Sequence, residues 1–467
     1  MAGRTEIDEV RFIAATAMLG GGVHTSALQR ALELEPHFIA ADAGTTDAGP
    51  YALGSGEPAF PRAALKRDLK AVLEARQVRG IPALVGSAGT AGADHHVDLF
   101  VELITEIARE EGMTLRLGVI RSEQDRDYLA GLYREGRIRP LDPAPAIDEG
   151  VFGRSAHIVG MMGVEPLQAA LDAGADFVLA GRCSDPALFA AIPIQRGLPE
   201  AFAWHAGKVA ECGAMACVGR NGVLTGAVRR DGAILRPVGR DIRCTPQSVA
   251  AHSLYEAADP FIQRECSGTL DISGSRYVAE GETAVRITDS RFTVADDYTV
   301  KLEGAELVGY QSLMIGGIRD PYILKQLDRW LEEVRETIHK SVARTLGVDL
   351  AQPGFHLIFH VYGRNGVMGG LEPASDRIPH EVGIVVEATA PTQELATEIA
   401  QLTRQPFLHH NIPEWMGAIT SFACLHNPGH VERGAVYRFN LHHVAMPRSK
   451  TEMFRTEFVD IRGGRAR

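Results

Sequence analysis

Three carboxylates and one guanidinium stand out as groups that could do chemistry. Asp42 and Asp47 bracket Ala43-Gly44-Thr45-Thr46. Two acids and the hydroxyls of Thr45 and Thr46 on one short loop can bind a divalent metal, serve as a general base, or only cap the loop through Asx turns. Arg182 lies in Gly181-Arg182-Cys183-Ser184-Asp185-Pro186, and its planar fork suits bidentate capture of a carboxylate. Ser184 and Asp185 share that loop. Cys183 becomes a nucleophile only if Arg182 and a helix N-terminus lower its pKa, and most free thiols are small buried apolar groups instead. Glu211, followed by Cys212, is a third candidate acid or base, with Cys212 read as packing.

Two glycine-rich stretches accompany these groups. Gly20-Gly21-Gly22 follows an apolar run, and Gly86-x-x-Gly89-x-x-Gly92 carries Ser87 and Thr90 and leads into Asp94. Backbone that lacks side chains can approach a ligand closely, and N–H groups at a helix start favour anions. Gly21, Gly22, Ser87, Gly89 and Thr90 are therefore expected to bind substrate, against the plainer reading of tight turns. Neither the Walker spacing nor GxGxxG is present, so no nicotinamide or flavin fingerprint is found. Asp94, His95, His96 and Asp98 form the densest polar knot of the first half. Asp94 is expected as the N-cap. Adjacent histidines diverge on a helix, so at most one faces the loops, and a metal would need ligands from elsewhere. His157 is expected as a satisfied core histidine.

The elements that position these residues follow from hydrophobic patterning. Apolar runs at 10–15, Phe38–Ala41, Ala83–Val85, Leu115–Ile120 and Phe177–Ala180 read as strands buried on both faces, as in a parallel sheet. Val209–Gly213 shares the grammar more loosely and also fits a helix following Trp204-His205. Helices are expected near 23–34, 60–78, 96–112, 122–135 and 166–173, with a further strand at Ile158–Val159. This alternation implies βαβ units, whose ligands sit at the strands' carboxyl ends. Beyond about 220 the pattern changes to a hairpin with an Asp231-Gly232 turn, a helix at 246–257 and β-rich segments. From 308 the order β-α-β-β-α-β, ending in a strand at about 417–423, is a ferredoxin-like pattern. The expected architecture is α/β: a doubly wound, mostly parallel sheet with helices on both faces over 1–235, and an α+β domain over 236–467, the boundary lying near 225–245.

Bulk properties narrow the function. The chain has 467 residues, 45% hydrophobic, with 48 Lys and Arg against 59 Asp and Glu. The resulting charge of −11 argues against a nucleic-acid partner. Six scattered cysteines without a CxxC pair fit reduced thiols. No apolar signal region is seen in the first ten residues, and no stretch nears the ~18–20 apolar residues of a membrane span. A cytoplasmic homo-oligomer is expected.

Several of these segments, in order, resemble the acyclic terpene utilisation family (AtuA type). They are Gly20–Gly22, Ala41–Pro50, Gly86–Gly92, Ala180–Pro186, Glu211-Cys212-Gly213-Ala214, Tyr298–Gly304, Gly309-Tyr310-Gln311 and Ile315-Gly316-Gly317. The resemblance spans most of the chain. It implies a cytosolic α/β protein linked to bacterial catabolism of branched acids.

Together these readings favour a lyase or hydratase acting on a small hydroxy- or unsaturated carboxylate or its CoA thioester. Arg182 and the glycine loops would hold the carboxylate, and Asp42, Asp47 or Glu211 would move a proton. A metal-assisted version places Mg²⁺ or Zn²⁺ on Asp42, Asp47 or His95. The alternative is a non-catalytic assembly or regulatory protein of a catabolic operon, with the ferredoxin-like half as an oligomer interface.

Overall fold

Short runs that are apolar at every position bury both faces of a strand, and here they do. A computed structural model describes residues 7–219, 221–414, 419–463 and 465–466. Strands Glu9–Ala14, Phe38–Asp42, Ala83–Gly86, Phe177–Ala180 and Leu115–Arg121 lie side by side in that order, all parallel. They form the centre of an 11-stranded sheet. Side chains alternate between its two faces. Phe12, Phe38, Leu84 and Val178 pack with helices Val164–Asp172, Ala187–Gln195 and Glu200–Ala210. Ile13, Ile39, Val85 and Leu179 pack with Thr25–Ala31, Arg62–Arg79 and Asp94–Glu110. The last of these helices buries Val97, Phe100, Leu103, Ile104 and Ile107, a single stripe at helical spacing.

Antiparallel strands extend both edges. Gly222–Arg229 pairs with Glu9–Ala14, followed by Gly232–Gly239, Ala284–Thr288 and Arg276–Glu280. Arg455–Arg462 pairs with Leu115–Arg121. The whole is a mixed α/β protein with several sheets and thirteen α-helices among the described residues. None of those helices is long and apolar enough to cross a membrane.

The chain packs as two compact units, Met1–Glu306 with Phe439–Arg467, and Leu307–Arg438. The change of pattern near 225–245 falls on the Gly222–Gly239 hairpin, inside the first unit. In the second unit, Tyr310–Ile318 of the long strand Val300–Ile318 pairs antiparallel with Val382–Ala390, which pairs with His356–Tyr362. Gly316 and Gly317 also pair with the two-residue strand Ala423–Cys424. Helices Leu327–Leu346 and Gln393–His409 supply Trp330, Val334, Ile338, Ile399 and Phe407 to its core. The strand expected at 417–423 begins at 417 and 418, which lie outside the described residues.

Three expectations need correction. Ser155–Met161 does not join the parallel sheet; it pairs antiparallel with Lys301–Glu306. Its apolar core is only Ile158-Val159, too short to bury two faces. The strand reading of Val209–Gly213 gives way to the helical one: Val209 and Ala210 end helix Glu200–Ala210, whose last eight residues are all buried, and Glu211 caps it; periodicity alone cannot separate such a helix from a buried strand. The helix after Leu115–Arg121 starts at Arg126, capped by Asp125, and leaves Ser122 and Glu123 free in the preceding loop.

Candidate functional site

The strand-end loops of the first unit are laced together by backbone hydrogen bonds. Ala43 N–H donates to Gly86 O, Thr90 N–H to Ala43 O, and Ser87 N–H to Gly181 O. The glycines that looked like ligand contacts serve this lacing. A Cβ on Gly44 would sit 2.1 Å from the Thr90 carbonyl oxygen, and one on Gly92 would sit 2.1 Å from the Arg182 nitrogen. Ser122 Oγ donates to Gly92 O at 2.8 Å and accepts from Arg182 N–H at 2.6 Å.

The triple-glycine loop does bind an anion, but the anion belongs to the chain. Gly20 and Gly22 N–H groups both donate to Oδ2 of buried Asp68 at 2.8 Å, and Gly21 N–H donates to Met18 O. Gly21 and Gly22 are therefore occupied by internal bonds. Gly89 packs on His96 of the histidine knot, and Thr90 Oγ1 accepts from Ala59 N–H.

Arg182 is 5% exposed and fully engaged. Its Nε donates to Glu303 Oε2 at 2.9 Å and its Nη2 to Glu303 Oε1 at 3.4 Å. Its Nη1 reaches Ser87 Oγ at 3.0 Å and Asp185 Oδ1 at 3.5 Å. The bidentate face expected to clamp a substrate carboxylate is thus taken by Glu303. Lys301 Nζ and Thr46 Oγ1 approach the same Glu303 oxygen at 3.1 and 3.3 Å. Burial alone would raise the Glu303 pKa, but Arg182 and Lys301 hold it at about 2.

Around this pair acids outnumber bases. Asp42 is 4% exposed, its Oδ1 accepting from Ala43 N–H at 2.8 Å. Burial, then the charge of Asp185, pushes its pKa well above the usual range. Asp185 is raised to about 6, by enclosure first and by the Glu303 and Asp47 charges, against Arg182 and Lys208. Glu265 accepts from Ser184 Oγ at 2.7 Å and is raised to about 7 by the same desolvation. Glu211, at the end of its helix, meets Lys208 Nζ at 2.6 Å. Burial, Asp185 and Glu265 still lift it to about 8. Asp47 is exposed and shares a hydrogen bond with Glu256, while Thr45 Oγ1 accepts from Asp47 N–H. Asp47 and Thr45 therefore shape the edge of the cluster rather than its interior.

Cys183 is fully buried, and its thiol is pushed well up by burial and by the Asp185 and Asp42 charges. These outweigh Arg182, so the low-pKa condition for a nucleophile is not met. Asp94 is not an N-cap; it is the first helical residue, and its own N–H donates to Glu123 Oε2 at 2.9 Å. His157 is not a core histidine but half-buried, with Nδ1 2.7 Å from Glu123 Oε1. Neither Asp42 nor Asp47 enters a group of three metal-ligating side chains among the described residues.

Sequence reasoning missed Glu303, Lys208, Glu265 and Lys301. Lys208 and Glu211 are three apart on a helix, a spacing that brings side chains together. Glu265-Cys266 repeats the Glu211-Cys212 dipeptide. Lys301 and Glu303 are two apart on a strand and so share a face. A cavity of about 220 Å³ opens beside them, lined by Thr46, Lys301, Glu303, Asn440 and His442. The arrangement can hold protons on some carboxylates and not on others near neutral pH, which is the requirement for paired acid and base catalysis.

A family model described as acyclic terpene utilisation family protein AtuA matches residues 41–418 of the chain. No curated protein and no solved structure matches it.

Proposed function

The chain belongs to the acyclic terpene utilisation family AtuA, and from that premise we propose that it is a lyase or hydratase. Family membership implies involvement in acyclic terpene utilisation and a catabolic role. The substrate we assign is a small hydroxy- or unsaturated carboxylate, or its CoA thioester. One observation carries the reading: two neighbouring buried acids are displaced to different degrees, Asp185 raised to about 6 by burial and Glu211 to about 8 by burial and by the Asp185 charge. At neutral pH the first is mainly ionised and the second mainly protonated. Eliminating water from a hydroxy acid needs that pair. Asp185 accepts the proton α to the carboxyl group, the C–H electrons form the C=C bond, and the C–O bond breaks as Glu211 protonates the departing hydroxyl. Hydration runs the same steps in reverse.

Arg182 orients the site through Ser87 and Glu303 in this reading. Lys301, 37% exposed beside the cavity, is the cation most open to a substrate anion. The parallel core with helices against both faces supports a doubly wound first unit, and the pairing order supports a ferredoxin-like second unit. We place the protein in the cytoplasm, in keeping with its six free cysteines.

The test is a screen of hydroxy and enoyl acids and their CoA esters, followed by Asp185→Asn and Glu211→Gln. Each is expected to lower kcat by about 10²–10⁴-fold with KM little changed. Full activity in both overturns the assignment. A non-catalytic assembly role draws on Val367 and Leu371 of the second unit, 86% and 81% exposed. It gains if Leu371→Asp abolishes both the homo-oligomer and growth on the substrate while the two carboxylate variants keep growth.

A further inference from the structure

The polar knot at the start of helix Asp94–Glu110 takes no part in the acid–base cluster. His95 lies on that helix, Glu123 in the loop after strand Leu115–Arg121, and His157 on strand Ser155–Met161. Each offers one donor atom, and the three atoms lie within 4.8 Å of one another. The His95 ring sits between those of His96 and His157, with centroids 4.3 and 4.9 Å away. We propose that His95, Glu123 and His157 bind a divalent first-row transition ion of the Zn²⁺ kind.

Geometry beyond the trio points to a ligand. His95 Nε2, both ring nitrogens of His96 and Asp94 Oδ1 are buried without a hydrogen-bond partner. His96 is 1% exposed and packed on His95. Unmet buried polar atoms are costly, and the unpartnered His95 nitrogen lies in the same ring as the candidate ligand, packed against His157. Glu123 is already aimed: its Oε2 accepts from Asp94 N–H, and its Oε1 faces His157. An ion would replace the proton that Glu123 and His157 now share. Their side chains are 23% and 27% exposed, which leaves an entry path and open coordination positions. The nearby cations are neutralised, Arg121 by Asp98 and Glu457, and Arg455 by Asp94.

The donor set selects the class of ion. Two imidazoles and a carboxylate suit Zn²⁺, Fe²⁺, Co²⁺ or Ni²⁺, whereas Mg²⁺ and Ca²⁺ prefer all-oxygen sites. Glu211, Cys212 and His252 also bring donor atoms within 4.8 Å, but Lys208 Nζ stands 2.6 Å from Glu211 there and would repel a cation.

The experiment titrates the chelator-stripped full-length protein with ZnCl₂ by calorimetry, with thermal unfolding alongside. One ion per chain and a higher Tm are expected. His95→Ala and His157→Ala should weaken binding by about 100-fold or more. Glu123→Gln, which keeps the helix-start hydrogen bond, should weaken it by at least about 10-fold. Cys212→Ser should bind as wild type, which separates this site from the second cluster. Circular dichroism confirms that each variant is folded. The proposal is overturned if wild type takes up no stoichiometric ion, if the histidine variants bind equally well, or if equimolar Mg²⁺ competes. Asp185→Asn should bind Zn²⁺ normally, so failure of this site and failure of the acid–base reading are told apart.

Discussion

The first unit holds carboxylates in two contrasting ways. At the triple-glycine loop and at Arg182, each acid is matched: Asp68 accepts two backbone N–H groups, and Glu303 accepts the Arg182 fork. At Asp42, Asp185, Glu211 and Glu265, the same residue types crowd together with too few cations, and every one is harder to ionise than usual. The matched acids hold the loops in place; Asp185, Glu211 and Glu265 can exchange protons near neutral pH. The contrast teaches that an acid near a strand end is not in itself a catalytic sign. What counts is whether the chain has already supplied its counter-charge.

The sharpest way to break this contrast is to remove a counter-charge. Arg182→Met leaves buried Glu303 with only Lys301 as a counter-charge, and is expected to cost about 3 kcal/mol in urea unfolding. Adding Glu303→Leu should recover most of that loss, because a well-packed apolar pair is often no less stable than a buried ion pair. Asp68→Ala is expected to cost about 1–3 kcal/mol by stranding the Gly20 and Gly22 N–H groups, with no change in substrate KM.

The unmatched cluster should show the opposite sign. Glu303, held at about 2 against an ordinary 4.5, adds stability above pH 4.5 that is lost as pH falls towards 2. Asp185 and Glu265, raised to about 6 and about 7, retain protons that the unfolded chain releases. Their contribution is present below the ordinary carboxylate pKa and is lost as pH rises through those values. The contribution of these groups is therefore expected to peak near pH 4.5, the ordinary carboxylate value, and to decline towards pH 8. Glu265→Gln should flatten that decline by about 1 kcal/mol, discounted because Glu265 is partly exposed. A profile that keeps rising to pH 8 would remove the distinction between the two regions. The smallest effect is expected for Cys183→Ala: about 1 kcal/mol or less of stability, with activity retained.

Much of the frame was legible in the sequence because it rests on local pattern. Continuous apolar runs marked the five parallel strands, and a single stripe marked helix Asp94–Glu110. The loops bearing Asp42, Ser87 and Arg182 do meet, since parallel strands carry their following loops to one edge. Partnerships were harder to read. Glu303 lies 121 residues beyond Arg182, on a strand whose place depends on tertiary pairing. Asp68 was readable in principle: Leu65, Asp68, Leu69 and Val72 form one helical stripe, and all four are buried. An acid on that face must find donors, and the triple-glycine loop has them. Gly89 packs on His96 and Thr90 bonds to Ala59 N–H, and in a sequence a glycine needed for close packing of two loops looks the same as one needed for a ligand.

The most direct test of the unmatched cluster is a carboxyl-carbon NMR titration of the full-length protein, with Glu211→Gln and Asp185→Asn used for assignment. A carboxyl resonance titrating near pH 8 that disappears in Glu211→Gln is expected, with a second near pH 6 that disappears in Asp185→Asn. If every glutamate and aspartate instead titrates below about pH 5, as model carboxylates do, the cluster carries no proton at neutral pH and the account of its chemistry fails.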